Sequence, residues 1–163
     1  GRTVRLLVDV RTKGMGASWA RTIAPGDDVD LELPYGDWLV TPGLDSTDAE
    51  APHRRIFIAT GTGIAPFLAA FEADRRDDDM LIVGCSRTED DLTTRVDTPL
   101  PRLVRCVSRE ATPGTFHGRV TDYLHTEGID PQATYYVCGS ARIVRDISRI
   151  IQAGGARVSY ETF

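Results

Sequence analysis

Residues 56–67 read Ile56-Phe57-Ile58-Ala59-Thr60-Gly61-Thr62-Gly63-Ile64-Ala65-Pro66-Phe67, an apolar strand running straight into a glycine-bearing turn that opens a helix. In open α/β sheets ligands sit just beyond the carboxyl ends of the strands. A glycine-rich turn at a helix N-terminus offers unblocked backbone N–H groups to a phosphate there, so a pyrophosphate is its natural guest. A tight strand-to-helix turn with Pro66 in the first helical turn satisfies the same residues without any ligand. The string is not the G-x-G-x-x-G dinucleotide fingerprint, because its third glycine position is not filled.

Outward from this stretch, strand and helix patterns alternate from Arg54 to the end of the chain. Strands are predicted at Ile56–Ala59, Met80–Gly84, Leu103–Val107, Tyr135–Cys138 and Arg157–Tyr160, and helices at Ile64–Arg75, Gly118–His125 and Ala141–Ala153. Five strands with intervening helices predict an α/β fold, a five-stranded parallel doubly wound domain over 54–163. Apolar residues in the last helix recur at steps of three and four, with Ile143, Ile147 and Ile150 as the predicted core face and Gly154-Gly155 as its stop. Asp77-Asp78-Asp79 reads as a solvated turn.

Upstream the texture changes. Val4–Val10, Val29–Leu33 and Trp38–Val40 read as short strands, with one helical candidate around Ser18–Ile23, which predicts an antiparallel all-β piece over 1–40. Residues 41–53, rich in Pro, Gly, Asp, Ser and Thr, read as a linker or long hairpin loop.

At 163 residues the chain holds one domain, or one plus part of another. Hydrophobic residues make up 41% and charged residues 26%, the composition of a globular chain with a core to bury. Its longest apolar runs fall far short of the ~18–20 residues of a membrane span, and no signal peptide pattern opens it. The net charge of −5 repels nucleic acid and anionic membranes as a whole-molecule field. Cys85, Cys106 and Cys138 are odd in number and widely spaced, against both a disulfide framework and a zinc site, so a reducing cytoplasm is the expected compartment. His53, His117 and His125 show no metal spacing, and no metal is expected. Lys13 is the only lysine beside 18 arginines, so arginines have to be judged by position rather than number.

Several positions single themselves out. Gly84-Cys85-Ser86-Arg87 follows the second strand and Val107-Ser108-Arg109-Glu110 the third; Gly118-Arg119 comes ten residues after Arg109; Tyr136-Val137-Cys138-Gly139 ends the fourth strand; and the chain closes on Glu161-Thr162-Phe163. Arg87, Arg109 and Arg119 lie just past strand ends or at a helix start, hence on one edge of the sheet. Guanidinium forks there bind a dianionic phosphate bidentately, and Ser108 can add a hydroxyl bond. Cys138 reads either as a small buried hydrophobe or as a residue at a strand's carboxyl end, where ligands bind in such sheets. Cys85 and Cys106 read as structural, and Ser140 as an N-cap.

Together with the Thr60–Phe67 turn, in their order along the chain, these motifs resemble the nicotinamide-binding module of the ferredoxin/flavodoxin-NADP reductase family. The resemblance implies an FAD-dependent NADP(H) oxidoreductase that passes hydride between nicotinamide and flavin, then electrons to a redox partner such as ferredoxin, flavodoxin or an oxygenase component. It implies that Thr60, Gly61, Thr62, Gly63, Ile64, Pro66 and Gly139 line the NADP site, with Ser86, Arg87, Ser108, Arg109 and Arg119 around the adenosine 2′-phosphate. Cys138 would lie against the nicotinamide, with Glu161 as the acidic residue two places before the terminal aromatic, and Phe163 would cover one flavin face. Gly14-Met15-Gly16-Ala17-Ser18 loosely resembles the turn that meets the flavin pyrophosphate, through Gly16 and Ser18. Pro25-Gly26-Asp27-Asp28-Val29 and Leu33-Pro34-Tyr35-Gly36 resemble the next turns of the flavin barrel.

The family's upstream Arg-x-Tyr-Ser segment, which holds the flavin, has no match, so the FAD site is expected to be incomplete in this chain and the barrel partial. Two other readings stay open: an NADH-dependent reductase component of an oxygenase, which the arginines disfavour, and a nucleotide-binding electron-transfer or regulatory subunit without its own flavin.

Overall fold

The computed structural model describes residues 4–11, 13–32 and 54–162. The chain divides into two compact units, Gly1–Leu39 and Val40–Phe163.

The second unit is built on a six-stranded sheet in the order β4-β3-β2-β1-β5-β6, with every neighbouring pair parallel. Strand β1 (Arg55–Thr60) lies at its centre, and five of its six residues are buried. A strand covered by helices on both faces reads as a continuous apolar run, and Ile56–Ala59 is one. On one side β1 pairs with β2 (Met80–Cys85), from Ile56 with Met80 to Thr60 with Gly84. On the other it pairs with β5 (Thr134–Gly139), including Ala59 with Cys138. Strand β3 (Arg102–Val107) flanks β2, and β6 (Arg157–Thr162) flanks β5.

The sixth strand, β4 (Phe116–His117), exceeds the five expected. It makes only the pairs Cys106 with Phe116 and Val107 with His117, too short a stretch for any periodicity to reveal.

Helices cover both faces. The α2 helix (Ala65–Asp74) packs Phe67 and Phe71 on Phe57, with ring centroids 5.2 and 4.8 Å away, while Tyr136 stacks on the same ring at 5.1 Å. On the opposite face α3 (Val120–Glu127) and α4 (Ala141–Ala153) bury Val120, Leu124, Val144, Ile147 and Ile151 against Ile56, Ile58, Ile82 and Val137.

Two expectations are corrected here. The buried stripe of α4 is Val144, Ile147 and Ile151, whereas Ile143 is 36% exposed. The i, i+3, i+7 set points at the sheet, and Ile143 and Ile150 flank it one residue earlier. Nor is Asp77-Asp78-Asp79 wholly solvated, since Asp79 is buried. Asp79 accepts Nε and Nη2 of Arg55 at 2.8 and 2.7 Å and the backbone N–H of Arg76 at 2.8 Å. Arg55 opens the central strand inside the protein, where a guanidinium needs a hydrogen-bonded counter-ion.

In the first unit a helix is present as expected, but α1 spans Met15–Ala20 rather than Ser18–Ile23. The Thr22 hydroxyl donates to the Trp19 carbonyl at 2.7 Å, which closes the chain into a turn just past the helix. Among the described residues of this unit there is no strand. Val4, Leu6, Val8 and Val10 keep the alternation of a strand but stay exposed, and the Val10 carbonyl accepts from the Arg21 guanidinium. The expected strand at Trp38–Val40, the segment 41–53 with His53, the stretch Leu33-Pro34-Tyr35-Gly36 and Phe163 lie outside the described residues.

Candidate functional site

Strand order reverses beside β1: the chain adds β2, β3 and β4 on one side, then crosses to place β5 and β6 on the other. The carboxyl ends of β1 and β5 therefore splay helices in opposite directions and leave a crevice between them, the usual ligand position in such sheets.

Into this crevice runs the turn Gly61–Ile64, a single 3₁₀ turn that leads directly into α2, with Pro66 in the first turn of that helix. Gly63 is buried against the backbone of β5, and a Cβ there would lie 2.6 Å from the Cys138 carbonyl carbon and 3.0 Å from Gly139 N. Only glycine lets the turn lie so close to the strand. Gly139 repeats the device from the other side, where a Cβ would run into Thr60 Oγ1. Thr60, Gly63, Cys138 and Gly139 thus meet at the carboxyl ends of β1 and β5, with Gly61, Thr62 and the buried Ile64 on the same turn and Pro66 in the first turn of α2. The shallow pocket beside it is lined by Ala59, Gly61, Ile64, Gly84, Asp91 and Thr93.

Cys138 is 5% exposed and is the register partner of Glu161 on β6. Burial, and after it the Glu161 charge, push its thiol up to about 11. Such a thiol stays protonated at neutral pH, which suits a packing surface rather than a nucleophile. Cys85 and Cys106 are likewise pushed up, to about 11 and about 12, chiefly by burial. Ser140 takes the N-cap position of α4, but its side chain makes no capping bond; the expected cap is positional only.

The arginines stand where β2, β3 and β4 end. Arg87 opens a 3₁₀ turn over Thr88–Asp90, Arg109 follows β3, and Arg119 is the N-cap residue of α3 just past β4. All three are exposed. Their loops are stitched together: Ser108 N–H donates to the Cys85 carbonyl at 3.2 Å, Arg109 N–H to the Ser86 carbonyl at 2.9 Å, and the Ser108 hydroxyl to the Cys85 carbonyl at 3.4 Å. Asp122 fixes the start of α3 by accepting the Arg119 N–H at 2.7 Å.

The structure adds residues that sequence reasoning passed over. Glu110 Oε1 accepts the Thr88 N–H at 2.6 Å, and its Oε2 lies 3.7 Å from Arg87 Nη1. Asp91 is buried beneath the same loop, accepting the Thr93 N–H and hydroxyl and Arg105 Nε at 2.9, 2.6 and 2.8 Å. Acid–base spacing on neighbouring loops is the only signal that could have found them. Gly16 and Ser18 fall on α1 of the other unit, where Ser18 N–H donates to the Gly14 carbonyl at 3.0 Å.

A glycine turn pressed on the neighbouring strand, with guanidinium groups at the next strand ends, fits a nicotinamide dinucleotide. Among the described residues no group of three or more His, Cys, Asp or Glu could hold a metal ion, and no helix is long and apolar enough to cross a membrane.

Similar proteins agree with this architecture. The chain is similar to a ferredoxin NADP+ reductase from Neisseria gonorrhoeae solved with bound FAD and NADP, at TM-score 0.74 and 20% identity over 94% of this chain and 71% of that one. It is also similar to a Plasmodium falciparum ferredoxin-NADP+ reductase solved with 2′P-AMP, at TM-score 0.63 and 17% identity, covering 92% of this chain and 66% of that one. An Amycolatopsis cytochrome P450 reductase gives TM-score 0.61 and 23% identity over 80% of this chain and 42% of that one. No curated protein sequence matches the chain significantly. The family model described as the oxidoreductase NAD-binding domain matches residues 57–149. More than half the chain lies in that match, from the central strand through most of α4, and the chain belongs to the oxidoreductase NAD-binding domain family, in the fold of the ferredoxin-NADP reductases.

Proposed function

We propose that this chain binds NADP(H) and serves an FAD-dependent oxidoreductase that delivers electrons to a carrier protein such as ferredoxin or flavodoxin. The observation that carries the reading is the crevice in which Gly63 rests on Cys138 while Arg87, Arg109 and Arg119 stand at the ends of the next three strands. When bound, the nicotinamide and the flavin together supply the hydride chemistry. The chain's own residues bind and orient. Backbone groups of the Gly61–Ile64 turn would hold the pyrophosphate. Arg87, Arg109 and Arg119 would hold the 2′-phosphate by charge-assisted hydrogen bonds. Cys138, protonated and buried beside Glu161, would give the nicotinamide ring a polarizable surface, and its burial keeps water from that side.

The experiment is Arg109→Ala with calorimetric titration of NADP+ and NAD+. Each charged contact contributes about 1.5–3 kcal/mol, so NADP+ should weaken at least tenfold while NAD+ stays nearly unchanged. Equal losses for both nucleotides would sink the assignment of Arg109 to the 2′-phosphate.

A further inference from the structure

The arginine set contains a carboxylate. Glu110 follows Arg109 directly, is only half exposed, and bridges two loops: Oε1 accepts the backbone N–H of Thr88, on the loop after β2, and Oε2 reaches Nη1 of Arg87, on that same loop. Hydrogen bonding from Thr88, and after it the Arg87 charge, hold its carboxyl below its ordinary value. The bridge is reinforced beside it by the Thr88 and Thr112 hydroxyls, 2.9 Å apart.

We infer that Glu110 is a positioning residue that sets how strongly the site prefers a 2′-phosphorylated nucleotide, by holding and partly neutralising the Arg87 guanidinium that an incoming phosphate must share with it. This rests on the NADP(H) reading above.

The physics has two parts. A carboxylate beside the guanidinium cancels part of the field that attracts a dianion and adds a repulsion of its own, a long-range effect that salt screens. The same carboxylate keeps the loop after β2 tied to the loop after β3, and an amide oxygen can do that without the charge. Glu110→Gln therefore separates the two parts: it retains an acceptor for the Thr88 N–H and removes the charge. Asp90 also lies on this loop, where its Oδ2 accepts the Arg87 backbone N–H at 3.2 Å, and the substitution leaves it in place.

The test is calorimetric titration of the full chain and of Glu110→Gln with 2′,5′-ADP and with 5′-AMP, at low and high salt, repeated in an Arg87→Ala background. Glu110→Gln should tighten 2′,5′-ADP about three- to tenfold at low salt and leave 5′-AMP within about twofold. The gain should shrink at high salt and in the Arg87→Ala background. An unchanged or lowered 2′,5′-ADP to 5′-AMP preference in Glu110→Gln overturns the inference, as does an undiminished gain without Arg87. Both results leave the NADP(H) reading intact, provided the unsubstituted chain prefers 2′,5′-ADP. If that chain binds the two nucleotides equally, the NADP(H) reading falls and the role of Glu110 falls with it.

Discussion

Cys138 and Glu161 are register partners across the parallel β5–β6 pair, which sets a buried thiol beside a strand that carries a carboxylate. Burial first and the Glu161 charge second hold the thiol in its neutral form.

The pH dependence of stability follows. Cys85, Cys106 and Cys138 ionise at about 11, 12 and 11 in the folded chain, against an ordinary value of 9.0. Stabilisation from groups raised in this way is complete below pH 9 and lost as the pH climbs through the folded values, since the unfolded chain releases its protons first. The urea midpoint should fall steadily from pH 9 to about 11, and the fall should be shallower in Cys106→Ala. At pH 8 the native chain should react with a thiol reagent far more slowly than the unfolded chain. Rapid native labelling of all three cysteines would contradict the burial.

Gly139 and Thr60 should be energetically coupled. A Cβ on residue 139 would strike Thr60 Oγ1, the end of a side chain, while one on residue 63 would strike the β5 backbone. Overpacking costs about 1–3 kcal/mol, and more when backbone has to move. Gly139→Ala should therefore lose much of its cost in a Thr60→Ala background, as a double-mutant cycle by urea denaturation would read. Gly63→Ala should gain nothing from the same change. Strict additivity of Gly139→Ala with Thr60→Ala would show that the strand moves instead.

Asp79→Asn should be among the most damaging single changes in the second unit. It leaves the Arg55 guanidinium, whose side chain is 6% exposed, without its buried counter-ion. Breaking one partner of such a pair costs about 3–5 kcal/mol, read as a lower urea midpoint with an unchanged slope. A loss under about 1 kcal/mol would mean that Asp74, whose Oδ2 lies 3.3 Å from Arg55 Nη1, suffices alone.

How legible these features were in the sequence depends on how local their causes are. The central strands announced themselves, because apolar runs such as Ile56–Ala59 and Met80–Val83 need only their own residues to be read. Arg87 and Arg109 follow the predicted strands β2 and β3, and a residue just past a parallel strand falls on the carboxyl edge wherever the strand sits in the sheet, whereas Arg119 is legible only as a helix start. Strand β4 escaped because two residues have no period. The core face of α4 came out one residue early, for an isoleucine at 143 or 150 looks as apolar as one at 151 until the helix is docked. Asp79 reads as solvated in a run of three aspartates because its partner, Arg55, lies far back in the sequence at the start of β1. Glu110 stands out in the sequence only as a neighbour of Arg109, and its hold on Arg87 depends on the lateral spacing of two loops, which no single stretch of sequence encodes. In the first unit the alternation at Val4–Val10 is legible, yet those residues form no strand among the described ones.

The sheet order carries a consequence for how the molecule assembles. Ile56 meets Met80 across a short excursion of chain on one side, and Tyr135 across a far longer one on the other. Closing the longer loop costs more entropy before any contact rewards it. The β1–β2–β3 half should therefore form first, with β5 docking late. The seat of Gly63 on Cys138 is then among the last contacts made in folding. A nucleotide held there would act mainly as a brake on unfolding, lengthening the life of the native state while leaving the rate of its formation nearly untouched.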